Sequence, residues 1–473
     1  MADLPQEPDD TGPDESKPNP FSGMPFEQMF SSMASGDMSG LQAMFGQLQR
    51  MFTPHEGAVN WEFARDLARQ VVAQQPDRSA DEGDRSRLSD VGQLAEHWLD
   101  AATEFPAGTS RITPWSRAEW VEASMPVWER LVEPVADSVV KAMGSALPAE
   151  AQAMAAPMLG MLTQIGSAMF TQQLGQAIGE LSGEVVSATD VGFPVGVAGS
   201  PAMVLRNAAV IGEGLGIDES DVLLYLVLRE CAHQRLYAHA PWLLDYVFSL
   251  IEDYGRGITI DTSRIESTLG SIDPTNIEAV QEAMNGGLFD VDQTPAQVAA
   301  LQRLETVLAL VEGWVDEVVG QAASAMPQAP ALREAMRRRR ATGGPAEATF
   351  AALVGLELRP RRLRDAATLW GALRSAEGAA ARDAVWAHRE LLPTAADLDD
   401  PLSYAARTQE ADSIDTESPE FDAALAALIE GAGGSGVAES ESGAGDSSSD
   451  SKDSDSGTGD SESDSEPGDP DGR

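Results

Sequence analysis

Residues 221–237 constrain this chain more than any other segment. They read Asp-Val-Leu-Leu-Tyr-Leu-Val-Leu-Arg-Glu-Cys-Ala-His-Gln-Arg-Leu-Tyr. Val222, Leu223, Leu224, Leu226, Val227 and Leu228 leave no side of a helix polar. A helix that is apolar all round is a buried one. Asp218 or Ser220 can cap its start. At 100° per residue, Arg229, Glu230 and His233 share a face with Val222, Leu226 and Tyr237. Three ionisable groups side by side on a buried helix are unfavourable unless each finds a partner. That face is the first candidate for a site.

The rest of the chain reads as mainly α. Helical patterns recur over 60–74, 87–103, 117–145, 219–237, 242–254, 276–286, 295–323, 331–340 and 346–357. Gly and Pro break them at 105–108 and 192–194. Strand signals are few: 202–205 (Ala-Met-Val-Leu) is the best, and Val210-Ile211 is too short to use. These patterns predict a helical domain over 57–406 with a few short strands. Residues 1–20 are Pro- and acid-rich and are expected to be disordered. Residues 21–56 form a Met-, Phe- and Gly-rich arm, which either packs loosely on the domain or docks a partner. Residues 407–473 form an acidic, disordered tail rich in Ser, Asp and Gly.

The stretch 151–179 carries no charge and approaches the length of a membrane span. Gln152, Gln164, Gln172, Gln173 and Gln176 would be costly in lipid. Gly160, Gly166 and Gly175 suit close packing against another helix, so a buried helix is expected there and no integral membrane segment. The 76 acidic residues outnumber the 32 basic ones, for a net charge of −44. A chain so charged repels nucleic acid at long range. The Arg337–Arg340 and Arg359–Arg364 clusters are therefore expected to pair with acidic groups of the body. One cysteine, Cys231, excludes an intramolecular disulfide and a Cys-based zinc site. The first residues lack the basic and apolar regions of a signal peptide, so a cytoplasmic protein is expected.

The spacing of Arg229, Glu230 and His233 is that of His-Glu-x-x-His with its first residue replaced. In the intact motif two His bind zinc and the Glu is the general base. Glu-x-x-His alone is common, and by itself reads more readily as a salt-bridged cluster. A second helix adds weight. Over 295–323, Leu301, Leu304, Leu308, Val311, Val315 and Val319 form one stripe. Glu312 borders that stripe, while Asp316 and Glu317 are expected further out. A buried carboxylate at Glu312 would need a cation or a metal. His239 gives an alternative Glu…His…His spacing, but Leu236 stands where that motif needs Gly.

Several further segments carry a family resemblance: Val59-Asn60-Trp61, Trp115-Ser116-Arg117-Ala118-Glu119-Trp120, Leu228-Arg229-Glu230-Cys231-Ala232-His233, Glu312-Gly313-Trp314, the Arg337–Arg340 run, 353–357, Trp386 and Leu392-Pro393. Through these the chain resembles the zincin-like metallopeptidases, a family of candidate hydrolases and zinc-dependent metalloproteases. One branch of that family is associated with deazaflavin-cofactor biosynthesis. The resemblance implies a zincin-like fold, Glu230 as would-be base, and His233 and Glu312 as would-be zinc ligands. Intact members carry His at 229 and often at 314; here Arg229 and Trp314 stand instead. Arg has no lone pair for a metal. Zinc, the cofactor of intact members, is therefore expected to be absent or weakly bound, and hydrolysis impaired. If the protein is active, the substrate is a peptide or amide held along an edge strand at Met203, Val204 and Leu205. The alternative is a non-enzymatic scaffold that binds a protein or peptide through the former cleft or the Met-rich arm.

Overall fold

The computed structural model describes residues 57–108, 111–145, 149–197, 199–257, 294–344, 347–348, 351, 354–355 and 358–412. The expected N-terminal segments over 1–56, the acidic tail beyond 412 and the 276–286 pattern lie outside these residues, and 346–357 lies largely outside them; residues 407–412, expected to begin the disordered tail, instead continue a helix from Pro401.

Helices dominate. In chain order they are α1 (Trp61–Ala73), α2 (Glu82–Leu99), α3 (Arg117–Ser145), α4 (Ala149–Leu181), α5 (Leu205–Ile211), α6 (Glu219–His239) and α7 (Trp242–Arg256). There follow α8 (Pro295–Ala322), α9 (Ala329–Thr342), α10 (Leu363–Glu377), α11 (Ala379–Ala384), α12 (Ala395–Asp399) and α13 (Pro401–Asp412). The start signals act locally. Asn60 accepts a hydrogen bond from the Phe63 N–H, and Thr294 and Gln297 form a reciprocal capping box with Pro295 in the first turn of α8. Asp218 occupies the cap position of α6 without a side-chain bond to the helix.

Two long helices form the centre. Helix α6 is buried on all sides from Val222 to Tyr237, as its composition requires. Helix α8 is buried nearly throughout Leu304–Val319. It packs on α6, α7 and α10. Gly313 permits the closest approach: a Cβ there would lie 2.5 Å from the Ala366 Cβ on α10. Asp316 and Glu317 correct the sequence reading. Neither lies further out, because α9, α10 and α11 cover the side of α8 on which they sit and supply arginines to them.

The uncharged stretch forms most of α4, whose C-terminal half packs on α1. Gly175 and Gly179 bring the backbones together; a Cβ on Gly175 would lie 2.6 Å from the Ala64 carbonyl oxygen. Gly166 meets nothing within 4 Å and has no such part. Among the described residues, no helix is long and apolar enough to cross a membrane.

Two short strands, β1 (Thr113–Trp115) and β2 (Ala202–Val204), pair in parallel, with Pro114 opposite Met203. The expected edge strand is not an edge. On the side away from β1, the Val204 N–H donates to the Val186 carbonyl and the Ala188 N–H donates to the Ala202 carbonyl. Ala202, Met203 and Val204 are fully buried, and Leu205 already opens α5. Both rows of backbone groups are thus largely occupied, which removes the ladder an added strand would need. Val210 and Ile211 are helical, in α5.

Candidate functional site

Four candidate residues come together where α6 crosses α8. Arg229, His233 and Glu230 project from α6, and Glu312 projects from α8; all are buried. The Arg229 guanidinium donates through Nη2 to Glu312 Oε2 at 2.6 Å. His233 Nε2 lies 3.3 Å from the other oxygen, Glu312 Oε1. His233 Nδ1 is 2.9 Å from the Arg229 carbonyl, which can only accept, so the tautomer with a proton on Nδ1 fits. A second arginine, Arg340 from α9, places Nη2 3.2 Å from Glu312 Oε1 and donates through Nη1 to the Asp190 carbonyl at 2.6 Å.

The charges explain one another. Burial alone would push the Glu312 carboxyl up, but Arg340, Arg229 and His233 together outweigh it and hold the group well below the usual carboxylate range. Burial opposes the charge on Arg229, and the adjacent Glu312 more than restores it. Tyr225, on the same helix, is pushed up to about 12, chiefly by burial. The buried Cys231 thiol is likewise pushed up by burial, which suits a small core filler rather than a nucleophile.

Glu230 turns away from Glu312. Its Oε2 accepts from the Thr189 N–H at 3.1 Å and from the Thr189 hydroxyl at 2.5 Å. Its Oε1 accepts from the Ala202 N–H at 3.2 Å and from Gln234 Nε2 at 3.0 Å. These bonds pin the 187–190 turn and the start of β2 onto α6. A carboxylate so engaged has little free lone-pair capacity with which to take a proton from a water. Arg229, Glu230, His233 and Glu312 still border a common void of about 10 Å³. That is roughly the room of a single water, which needs on the order of 10–15 Å³.

The remaining candidates lie elsewhere. His239 ends α6, stacks on Phe105 at 5.0 Å between ring centroids, and bonds back to the Arg235 carbonyl. Trp314 is buried and donates to Asp383 Oδ1 at 2.9 Å. Sequence reasoning missed Thr189, Asp190 and Arg340 as members of the cluster. Thr189 and Asp190 sit in a turn without periodicity. Arg340 had a usable signal: Arg333, Arg337 and Arg340 recur at helical spacing, as Glu312 and Asp316 do on α8. The structure pairs Arg333 and Arg337 with Asp316 and Arg340 with Glu312.

The sequence profile of the zincin-like metallopeptidases matches residues 59–405, most of the chain and all of this site. The chain belongs to that family. No curated protein matches it. Among solved structures, it is similar to a crystal structure from Chloroflexus aurantiacus described as a candidate hydrolase with a novel fold. The TM-score is 0.53 at 20% identity, covering 74% of this chain and 99% of that one, a likeness of fold.

Family membership makes zinc the group to test against these side chains. His233 is oriented as a ligand would be, with Nδ1 toward a backbone carbonyl and Nε2 toward Glu312. A catalytic zinc needs a third protein ligand. At the position one helical turn before His233 stands Arg229, whose guanidinium occupies Glu312. Among the described residues, no group of three or more His, Cys, Asp or Glu is arranged to hold a metal ion. The donors described at this site do not fit a catalytic zinc.

Proposed function

We propose that this protein is a catalytically impaired member of the zincin-like hydrolases, in which a guanidinium stands in for the metal. One observation carries the reading: the 2.6 Å ion pair between Arg229 Nη2 and Glu312 Oε2, made inside the core by the residue that replaces the first ligand. A fixed positive charge against the carboxylate supplies the electrostatic part of what a zinc ion would, and repels the ion itself. It offers no open coordination position, so no water is activated. An active relative of this type would hydrolyse a peptide or amide bond.

The void beside Glu230, with room for about one water, favours a second reading over hydrolysis there: a non-enzymatic scaffold that binds a protein or peptide through the former cleft or the Met-rich arm. Metal content separates the readings from an active enzyme. Purified wild-type protein is expected to carry far less than one zinc per chain. The variant Arg229→His restores a nitrogen ligand one turn from His233, so added zinc should bind it and raise its melting temperature while leaving wild type unchanged. Near-stoichiometric zinc in wild type, lost on His233→Ala, would overturn the proposal.

A further inference from the structure

A second cavity, of about 340 Å³, has Arg340 among its lining residues. The tip of α4, the 183–191 turn, α5, the end of α9 and Leu358 enclose it. Its walls are largely apolar, with Trp128, Leu181, Val185, Val191, Ile211 and Leu358 in the lining. The volume is that of a small-molecule site, commonly about 300–1,000 Å³.

The polar groups in the wall are unequally satisfied. Arg339 grips both carboxylate oxygens of Asp190 at 2.8 and 2.7 Å and donates to the Glu184 carbonyl. The Asn207 amide donates to the Ser182 and Val185 carbonyls and accepts from Arg117. Arg340 differs. It is 4% exposed, yet its Nε has no hydrogen-bond acceptor, and its Nη2, though near Glu312, is not aligned to donate to it. Buried guanidinium donors without acceptors are costly and rare in folded proteins. The cavity that Arg340 lines is where an acceptor can come from.

Charge narrows the acceptor. Arg340 already shares the charge of Glu312, and Asp190 neutralises Arg339. Glu347 in the same wall pairs with Arg359 at 3.7 Å. An entering anion would be desolvated with the charges of both lining guanidiniums already answered; a neutral oxygen carries no such cost. We propose that this cavity binds an apolar, uncharged molecule that presents a carbonyl oxygen (an amide, ester or ketone) to Arg340. The proposal does not depend on whether the neighbouring site holds zinc.

Calorimetric titration of the full-length protein with octanamide and with octanoate tests it. Octanamide is expected to bind saturably, at least tenfold tighter than octanoate. Arg340→Met should weaken octanamide about tenfold, the effect of removing a hydrogen bond to a charged group. Val210 lines the cavity and is half exposed, so Val210→Trp leaves the core intact and fills the opening. That variant should abolish binding even if Arg340→Met fails to fold. The proposal is overturned if octanamide shows no saturable binding, if octanoate binds as tightly, or if Val210→Trp leaves the affinity unchanged.

Discussion

Two of the buried ionic centres on helix α8, those of Glu312 and Glu317, are built to different standards. Around Glu317, every charged group is answered. Arg382 donates to Glu317, Asp383 and the Ala102 carbonyl. Asp383 accepts from Trp314, the Thr103 hydroxyl and the Glu104 N–H, and Glu317 accepts from Arg374 and Gln321 as well. Around Glu312, one turn and a residue earlier, His233 Nε2, Glu312 Oε1, Arg340 Nε and Arg340 Nη2 make no aligned hydrogen bond. A buried network that is fully paired fixes a fold, whereas one left partly unpaired needs another explanation. The Glu317 centre is architecture that ties α8 to α10, α11 and the segment 102–104 that follows α2. The Glu312 centre leaves buried polar atoms without aligned partners, which is what the proposed conversion of a metal site to an ion pair would leave.

The comparison can be broken by mutation. Arg382→Ala should have the largest effect. It leaves Glu317 and Asp383 short of a buried counter-charge and should cost about 4–5 kcal/mol in a urea unfolding curve, at the upper end for broken buried pairs. Glu312→Ala strands Arg229 and Arg340 together and should cost about 3 kcal/mol, less because part of that centre is already unpaired. If Glu312→Ala proves the costlier change, the contrast drawn between the two centres is wrong.

Acid should sharpen the same contrast. Glu312 ionises in the folded protein well below the 4.5 of an ordinary glutamate. As pH falls, the unfolded chain therefore takes up this proton first. The stability that the ionised group contributes is complete above about pH 4.5 and is lost as pH drops toward the folded value. Urea midpoints measured from pH 6 downward should fall less steeply in Glu312→Gln than in wild type; parallel curves would show that the arginines do not hold the carboxylate as described. The smallest change is expected at Thr189→Val, which removes one donor from Glu230 and should cost about 1–2 kcal/mol. No loss of stability there would mean that Glu230 is less firmly engaged than its bonds indicate.

Much of this was legible in the chain itself. The continuous apolar run of 222–228 fixed α6 as a buried helix, because no orientation could keep it at a surface. Periodicity likewise placed α1, α3, α7, α8 and α9 close to their observed bounds, and the i, i+1, i+4 spacing singled out Arg229, Glu230 and His233. The small residues of α4 announced a close helix contact, although Gly175 and not Gly166 makes it. Helix α10 escaped notice because Arg359–Arg364 drew attention to charge at its start, and its apolar positions are interrupted by Ala and Gly.

Sequence by itself determined that 219–237 and 295–323 are helices, and that Arg229, Glu230, His233 and Glu312 lie on or beside their apolar faces, since both follow from spacing along one chain. Tertiary structure alone decided who answers those charges. It turned Glu230 toward Thr189 and Ala202, brought Arg340 to Glu312 from a helix that begins after α8, and closed β2 with β1 on one side and residues 186–188 on the other. The reason is physical: a buried charge demands a partner, but it does not specify where along the chain the partner comes from. Only the packing of α6, α8 and α9 against one another selects it.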